Sequence, residues 1–292
     1  MAERVCAVIV TYNRKELLKE CLQAVLSQTR PPDHVLVVDN ASTDGTAEMV
    51  KQAFPQVELL SLAENSGGAG GFYEGIKQAY AKGFDWLWLM DDDTIAESKA
   101  LEELLKPISI LSWAIGEISI LASAVLWLDQ TPHPMNTLNP ECKNTQITLR
   151  AVELGFLPIR SASFVSILVS QQAVGKYGLP LKRYFIWNDD VEYTSRILKE
   201  GLGFLVPKSV VIHKTLRKYN PTTSGRPDRF YFEVRNKVWL LKSNSLYPRE
   251  KAIYSLRLLK SVWEFLKHNK FIPIAWLCIT KGIVDGIFRR PM

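Results

Sequence analysis

Cysteine is scarce in this sequence, and the little there is stands ungrouped. Cys6, Cys21, Cys142 and Cys278 are scattered without a CxxC pair or a metal-ligand spacing. That argues against a disulfide framework or a zinc site and for a reducing compartment. Long apolar runs are missing as well. A membrane-spanning helix needs roughly 20 apolar residues, and the longest candidate, Phe271 to Thr280, is about half of that. The first residues, MAERVCAVIV, lack a charged leader, a long apolar core and a small-residue cleavage site. They read as a core strand rather than a signal peptide, and a cytoplasmic location is expected. No repeat, low-complexity tract or nucleic-acid-binding motif is visible, so nucleic acid is not expected as a partner.

What is present is globular material. The 292 residues are 47% hydrophobic and 23% charged, enough to bury a sizeable core. The net charge of +6 is moderate, and much of the basic excess follows Arg183. It would suit phosphate-rich ligands or an anionic membrane face. The first half alternates β-rich runs with helical spacing. VCAVIVTY, HVLVVDN, VELLSL and DWLWLMDDD read as strands; Arg14–Gln28, Thr43–Ala53 and Gly70–Lys82 read as helices. Such alternation predicts an α/β fold, with a mostly parallel sheet flanked by helices. Ligands of such sheets sit beyond the carboxyl ends of the strands. That edge would gather Thr11-Tyr12, Asp39-Asn40, Asn65 to Gly71 and Asp91 to Asp93.

The second half is less legible. Asp129 to Thr145 reads as an exposed excursion, and Ile159 to Val169 as strand. KRYFIWNDDVEYTSRILKEG reads as a loop entering a helix, GFLVPKSVVIHK as a strand pair ending in His213, and KTLRKYNPTTSGRPD as a turn-rich loop. From Phe230 the pattern is helical. The expected organisation is a catalytic domain over residues 1–229 and a helical region over 230–292.

Three adjacent carboxylates, Asp91, Asp92 and Asp93, would repel one another at a buried strand end unless a cation joined them. Hard divalent ions such as Mn²⁺ or Mg²⁺ take oxygen ligands and often share them with a diphosphate. An acidic turn capping a helix from about Thr94 is the plainer alternative. Asp189 and Asp190 open a helix, where one of them would cap free N–H groups. His213 ends an apolar strand, a place more often structural than functional.

Together, VIVTYNRKELLKECLQAVLSQT, VLVVDNASTDGT, ENSGGAGGFYEGI and WLWLMDDDT, followed by FIWNDDVEYTSRI and IHK, resemble the family 2 inverting glycosyltransferases of the GT-A (Rossmann-like) fold. GGAGGF and WNDD look closest to the galactofuranosyltransferase and rhamnosyltransferase branches. The resemblance implies a nucleotide-sugar donor, UDP-galactofuranose before dTDP-rhamnose, and a glycan or polyprenyl-linked glycan acceptor in cell-surface polysaccharide synthesis. By the same resemblance, Asp39 would bind the nucleobase, and Thr11 and Tyr12 would line base and ribose. A local turn from Asp39 to Ser42 or Asp44 is the alternative there. Asn65, Gly67, Gly68, Gly70 and Gly71 would let the backbone approach the donor. Asp93 would ligate Mn²⁺ or Mg²⁺, Asp91 the metal or ribose, and His213 would complete the shell; Asp92 would face the donor sugar. Asp190 would be the general base, and Asp189 would hold a sugar. Trp187 would stack on the acceptor ring or serve the core. Arg235 would contact a phosphate, and Arg217 and Lys218 would close over the leaving diphosphate. The implied mechanism is a single displacement with inversion.

Rival readings are a Rossmann dehydrogenase, a nucleotidyltransferase and a non-catalytic carbohydrate- or nucleotide-binding protein on the same fold. TYNRKE after the first strand replaces the glycine-rich loops that the first two expect. Lys251 to Phe288 mixes basic and apolar residues at helical spacing. It would either pack on the catalytic domain or lie on an anionic membrane, with Trp263 and Trp276 at the interface.

Overall fold

A computed structural model describes residues 3–136, 138–216, 222, 227–270 and 272–291. Arg217 and Lys218 lie outside the described residues.

Seven consecutive buried residues form β1 (Val5–Thr11). Its side chains alternate between two cores: Val5, Ala7 and Ile9 face one, Cys6, Val8 and Val10 the other. A strand covered on both faces has no polar side to show, which is why the run reads as unbroken apolar sequence. Then come α1 (Lys15–Leu26), β2 (His34–Asp39), α2 (Thr46–Ala53), β3 (Glu58–Ser61), α3 (Gly67–Ala81) and β4 (Trp86–Asp91). These four strands pair in parallel in the order β3-β2-β1-β4, with α1 and α2 on one face and α3 on the other.

Helix α3 begins three residues earlier than the pattern suggested, so its glycines are helix rather than loop. A Cβ on Gly71 would stand 2.4 Å from Val10 Cγ1, and one on Gly75 2.5 Å from Val8 Cγ1. The glycines let α3 lie directly on β1.

The chain continues through β5 (Thr94–Ala96), α4 (Ala100–Leu105), α5 (Ile108–Ala114), β6 (Ile118–Leu126), β7 (Asn139–Pro140), α6 (Thr145–Glu153), β8 (Leu157–Ser161), β9 (Ile167–Ser170), α7 (Gln171–Tyr177), α8 (Asp189–Ile197) and β10 (Leu202–His213). Sheet order runs on from β4 as β9-β6-β10-β8-β7, mixed in direction, with β5 antiparallel to the end of β10. Two expectations are corrected. Thr94 starts a strand, not a helix, because its partner is His213 across the β5–β10 ladder. GFLVPKSVVIHK is one strand, whose register slips between Val206 and Val210. Pro207 has no N–H for the ladder, and a bulge absorbs it.

Three helices finish the chain: α9 (Pro227–Lys242), α10 (Pro248–His268) and α11 (Pro273–Phe288). Phe230 and Phe265 stack with centroids 3.8 Å apart. Gly282 and Gly286 let α11 lie against Val234 and Val238 of α9. Among the described residues, no helix is long and apolar enough to cross a membrane.

Candidate active site

The carboxyl ends of β4 and β10 meet. After five buried residues, β4 ends at half-buried Asp91, the chain turns through Asp92 and Asp93, and β5 carries it back along β10. Asp91, Asp93 and His213 each offer one ligand atom, and these atoms lie within 4.8 Å of one another. His213 Nδ1 stands 2.8 Å from Asn136 Oδ1, while Asn136 Nδ2 donates to Ser163 Oγ at 2.6 Å. With Asn136 Oδ1 accepting from Nδ1–H, the Nε2 lone pair faces the carboxylates, the tautomer a metal ligand needs. Nε2 is 3.1 Å from Asp93 Oδ1, yet that buried oxygen accepts no hydrogen bond. Two oxygens and one imidazole converging around an unsatisfied oxygen suit a divalent cation of the Mn²⁺ or Mg²⁺ kind.

Arg14 holds the cluster from outside, with Nη1 2.5 Å from Asp93 Oδ2 and 3.2 Å from Asp92 Oδ1. Thr11 Oγ1 donates to Asp92 Oδ2 at 2.7 Å. Asp92 is thereby held between Thr11 and Arg14. Thr11 is 1% exposed and supports Asp92 through that bond. Charge is unbalanced here. Burial, and then the neighbouring Asp93 charge, push Asp91 up to about 6. Burial pushes Asp92 up to about 7 despite Arg14. Burial opposes ionisation of Asp93 too, but His213 and Arg14 outweigh it and hold that carboxyl at about 2. Burial likewise disfavours a charged His213, and Asp93 overrides it and raises the imidazole above its usual range.

The second acidic pair opens α8. Phe185, Trp187 and Asn188 all have positive φ, 65°, 66° and 64°, conformations that cost side-chain-bearing residues energy unless their surroundings enforce them. Helix α9 enforces them. Asn236 Nδ2 donates to the carbonyls of Tyr184, Ile186 and Trp187 at 2.7–2.9 Å. Arg235 Nη2 donates to those of Arg183 and Tyr184 at 2.9 Å each. Its guanidinium also stands 4.2 Å from the Trp239 ring centroid, and the residue is 8% exposed. Arg235 thus clamps the loop through Nη2, while its Nε donates to Asn236 Oδ1 at 2.9 Å.

Asp190 Oδ1 accepts from its neighbour Val191 N at 2.7 Å, which satisfies a free donor of the helix start. Burial, with the Asp91 charge adding to it, pushes Asp190 up to about 6. Burial, and then the adjacent Asp190 charge, raise Asp189 well above the carboxylate range. The Asp91 charge is felt at both. On its other side Asp190 lines a cavity of about 470 Å³, together with Asn136, Ser163, Lys237, Tyr254 and Arg257.

At the remaining strand exits, Asp39 is 2% exposed and its Oδ1 accepts from Ser42 N at 3.0 Å, which builds the local turn. Tyr12 is exposed. Asn65 Oδ1 accepts from Gly67 N at 2.8 Å, steadying the start of α3. Gly67 has φ +73° and abuts the Phe185 carbonyl, where any Cβ would collide. A Cβ on Gly68 would meet nothing within 4 Å, so open space adjoins the first turn of α3 there.

Residues 6–112 match the family Glycosyl transferase family 2. The chain is 33% identical over 281 residues to galactofuranosyltransferase GlfT1 of Mycolicibacterium smegmatis, covering 90% of each. The chain belongs to the family 2 glycosyltransferases. This glycosyltransferase is also 27% identical over 286 residues to the N-acetylglucosaminyl-diphospho-decaprenol L-rhamnosyltransferase of Mycobacterium tuberculosis, covering 88% of this chain and 90% of that one. Its fold is shared with S. aureus TarS 1–349 in complex with UDP-GlcNAc, at a TM-score of 0.64 and 16% identity, over 97% of this chain and 80% of that one.

The glycosyltransferase brings Asp91, Asp93 and His213 together, and the charge of Asp91 reaches Asp189 and Asp190. Half-buried Trp187 precedes that pair on the strained loop. Sequence reasoning missed Arg14, although a cation two residues beyond Tyr12 at an acidic strand edge was a usable signal. It also missed Asn136, which lies in the illegible excursion and offered none.

Proposed function

We propose that this enzyme transfers a sugar from a UDP-sugar, UDP-galactofuranose ahead of dTDP-rhamnose, to a polyprenyl-linked or other glycan acceptor of the cell envelope, with inversion. The supporting observation is the position of Asp190, which feels the charge of Asp91 in the ligand triad and lines a cavity of about 470 Å³. Donor and acceptor would meet at that carboxylate. The favoured donor follows from the likeness to GlfT1, and the lipid-linked acceptor from the name of the rhamnosyltransferase relative.

Asp91, Asp93 and His213 would hold Mn²⁺ or Mg²⁺, and such a cation supplies charge neutralisation for a leaving nucleoside diphosphate. Arg14 fixes the carboxylates that do so. Asp190 removes the proton from the acceptor hydroxyl as it attacks the anomeric carbon. Asp189 holds a sugar, Asp39, Tyr12 and Asn65 border the nucleotide, and Trp187 borders the acceptor. The catalytic part is residues 1–229. The helical region, 230–292, steadies the site loop through Asn236.

Peripheral membrane contact at the cytoplasmic face is part of the reading. Leu256, Leu259, Trp263, Leu277 and Phe288 are exposed on α10 and α11 among basic residues, the pattern of helices that lie on anionic lipid. Removal of residues 251–292 should abolish flotation with anionic liposomes; equal flotation of both forms refutes the contact.

The central test is a thermal-shift titration with UDP, dTDP and their sugars, with and without Mn²⁺. A ligand at about 100 times its Kd adds roughly 2.7 kcal/mol. Metal-dependent stabilisation by UDP is expected. A preference for dTDP would move the donor to rhamnose, and silence from every nucleotide would end the reading.

A further inference from the structure

A buried tyrosine normally gives its hydroxyl a partner, because the polar tip loses water when the ring packs. Tyr254 on α10 departs from that rule. The residue is 9% exposed. Its ring belongs to a small apolar cluster with Leu240 of α9 and Leu246, against which Val191 of α8 also packs. Val191 directly follows Asp190, so the tyrosine rests on the first turn of the helix that carries the proposed base. Among the described residues, the Tyr254 hydroxyl makes no hydrogen bond. Nor is it sealed in, whereas the unpaired hydroxyls of Tyr184 and Tyr193 are.

Tyr254 opens onto the cavity that Asp190 lines. Burial raises the phenol above its ordinary value; Arg257 opposes that, and the Asp190 charge adds to it. The group therefore keeps its proton at neutral pH and is available as a donor. Across the same cavity, an ionised Asp190 only accepts. A donor and an acceptor set around one space match the two sides of a single alcohol, whose oxygen accepts while its proton is given away. The neighbouring lining groups Asn139 and Ser161 are neutral and polar, as a sugar ring requires.

We infer that Tyr254 binds the acceptor sugar, donating its hydroxyl hydrogen to the oxygen of the sugar hydroxyl that faces Asp190. The inference rests on the proposed function and deepens it. That oxygen forms the new bond to the anomeric carbon, the nucleoside diphosphate leaves with the electrons of the old one, and the proton passes to Asp190. The phenol keeps its own proton and orients the hydroxyl. Helix α10 then supplies a side chain to the site itself.

The test uses the full chain. UDP is titrated first in excess Mn²⁺, so the donor reading is scored by itself. Methyl glycosides of L-rhamnose, D-galactofuranose and N-acetyl-D-glucosamine are then titrated by ligand-observed NMR against wild type and Tyr254→Phe. At least one should bind the UDP-filled wild type. Tyr254→Phe should weaken it roughly three- to tenfold, with UDP affinity and melting temperature unchanged. The variant keeps the ring, so a tyrosine that only fills space would lose nothing. Monodeoxy analogues of the bound glycoside locate the contact. One of them should bind wild type and Tyr254→Phe equally, and the same one should be blind to Asp190→Asn, because both groups meet one hydroxyl. Three outcomes overturn the inference: no glycoside binding to the UDP-filled protein, equal binding by wild type and Tyr254→Phe, or different deoxy positions for the two residues. UDP binding that persists through any of these leaves the donor reading standing, so the two failures are distinguishable.

Discussion

Asp190 feels two opposing influences. Its helix-start N–H contact favours the carboxylate, while burial and the Asp91 charge favour the acid. A general base works only when ionised, so activity should rise with pH through the folded value, about 6. A cation at Asp91 would lower that value, so at saturating metal the acid limb of kcat/KM should fall at or below it. Asp190→Asn keeps the shape and the Val191 contact and should cost roughly a hundred- to ten-thousand-fold in transfer, while leaving UDP binding intact. A full-rate Asn variant would remove Asp190 from the chemistry. Asn136 acts one step further out. Its amide fixes the His213 tautomer and touches no ligand atom itself. Asn136→Ala should therefore weaken Mn²⁺ binding by roughly ten- to a hundredfold, with UDP affinity at saturating Mn²⁺ little changed. Unaltered Mn²⁺ affinity would mean that the tautomer is set elsewhere.

Helix α3 shows how an element is tuned by glycines that look alike in sequence. Gly68 and Gly71 fall in one GGAGGF run, yet one faces open space and the other lies against Val10 and Asn40. Gly71→Ala should destabilise the fold by about 1–3 kcal/mol, because β1 cannot yield the missing space. Gly68→Ala should leave stability nearly unchanged or slightly raised, by less than about 1 kcal/mol. Chemical denaturation of the two variants separates them, and equal losses would contradict the packing described. The same helix shows what was legible. The first four strands and three helices followed from unbroken apolar runs and helical spacing, since a doubly covered strand writes its burial in every residue. The α3 boundary did not follow, since glycine signals a loop as readily as a close helix–sheet contact. The β5–β10 ladder was equally hidden: three residues of strand, Thr94–Ala96, carry no period, and their partner lies more than a hundred positions away. The ligand triad was readable only through family resemblance, whereas the Asn136 support and the Arg235 and Asn236 clamp depend on tertiary contacts that no local pattern encodes.

At the scale of the molecule, one edge of the sheet collects Asp91, Asp92, Asp93, Asp189 and Asp190 with Arg14 and His213. The field of that edge should govern how stability depends on pH. Asp91, Asp92, Asp189 and Asp190 have folded values above those of free carboxylates. The folded chain therefore holds these protons more tightly than the unfolded chain. Their contribution is fully present below the unfolded value, about 4; that of Asp91, Asp92 and Asp190 is lost as pH rises through about 6 to 7, and Asp189 acts in the same sense. His213, also raised, keeps its contribution below its unfolded value, about 6.5, and loses it at higher pH as it deprotonates. Asp93, depressed to about 2, acts in the opposite sense but only below about pH 4. Protons and a divalent cation compete for the same oxygens. In EDTA, the melting temperature should accordingly fall between about pH 4.5 and 7.5; in excess Mn²⁺ it should hold level or rise. The gap between the two curves should widen with pH, and Asp93→Asn should narrow it. Parallel curves, or a metal-free protein that gains stability across this window, would show that the acidic edge is balanced by the protein's own cations. The case for a metal at Asp91, Asp93 and His213 would then fail.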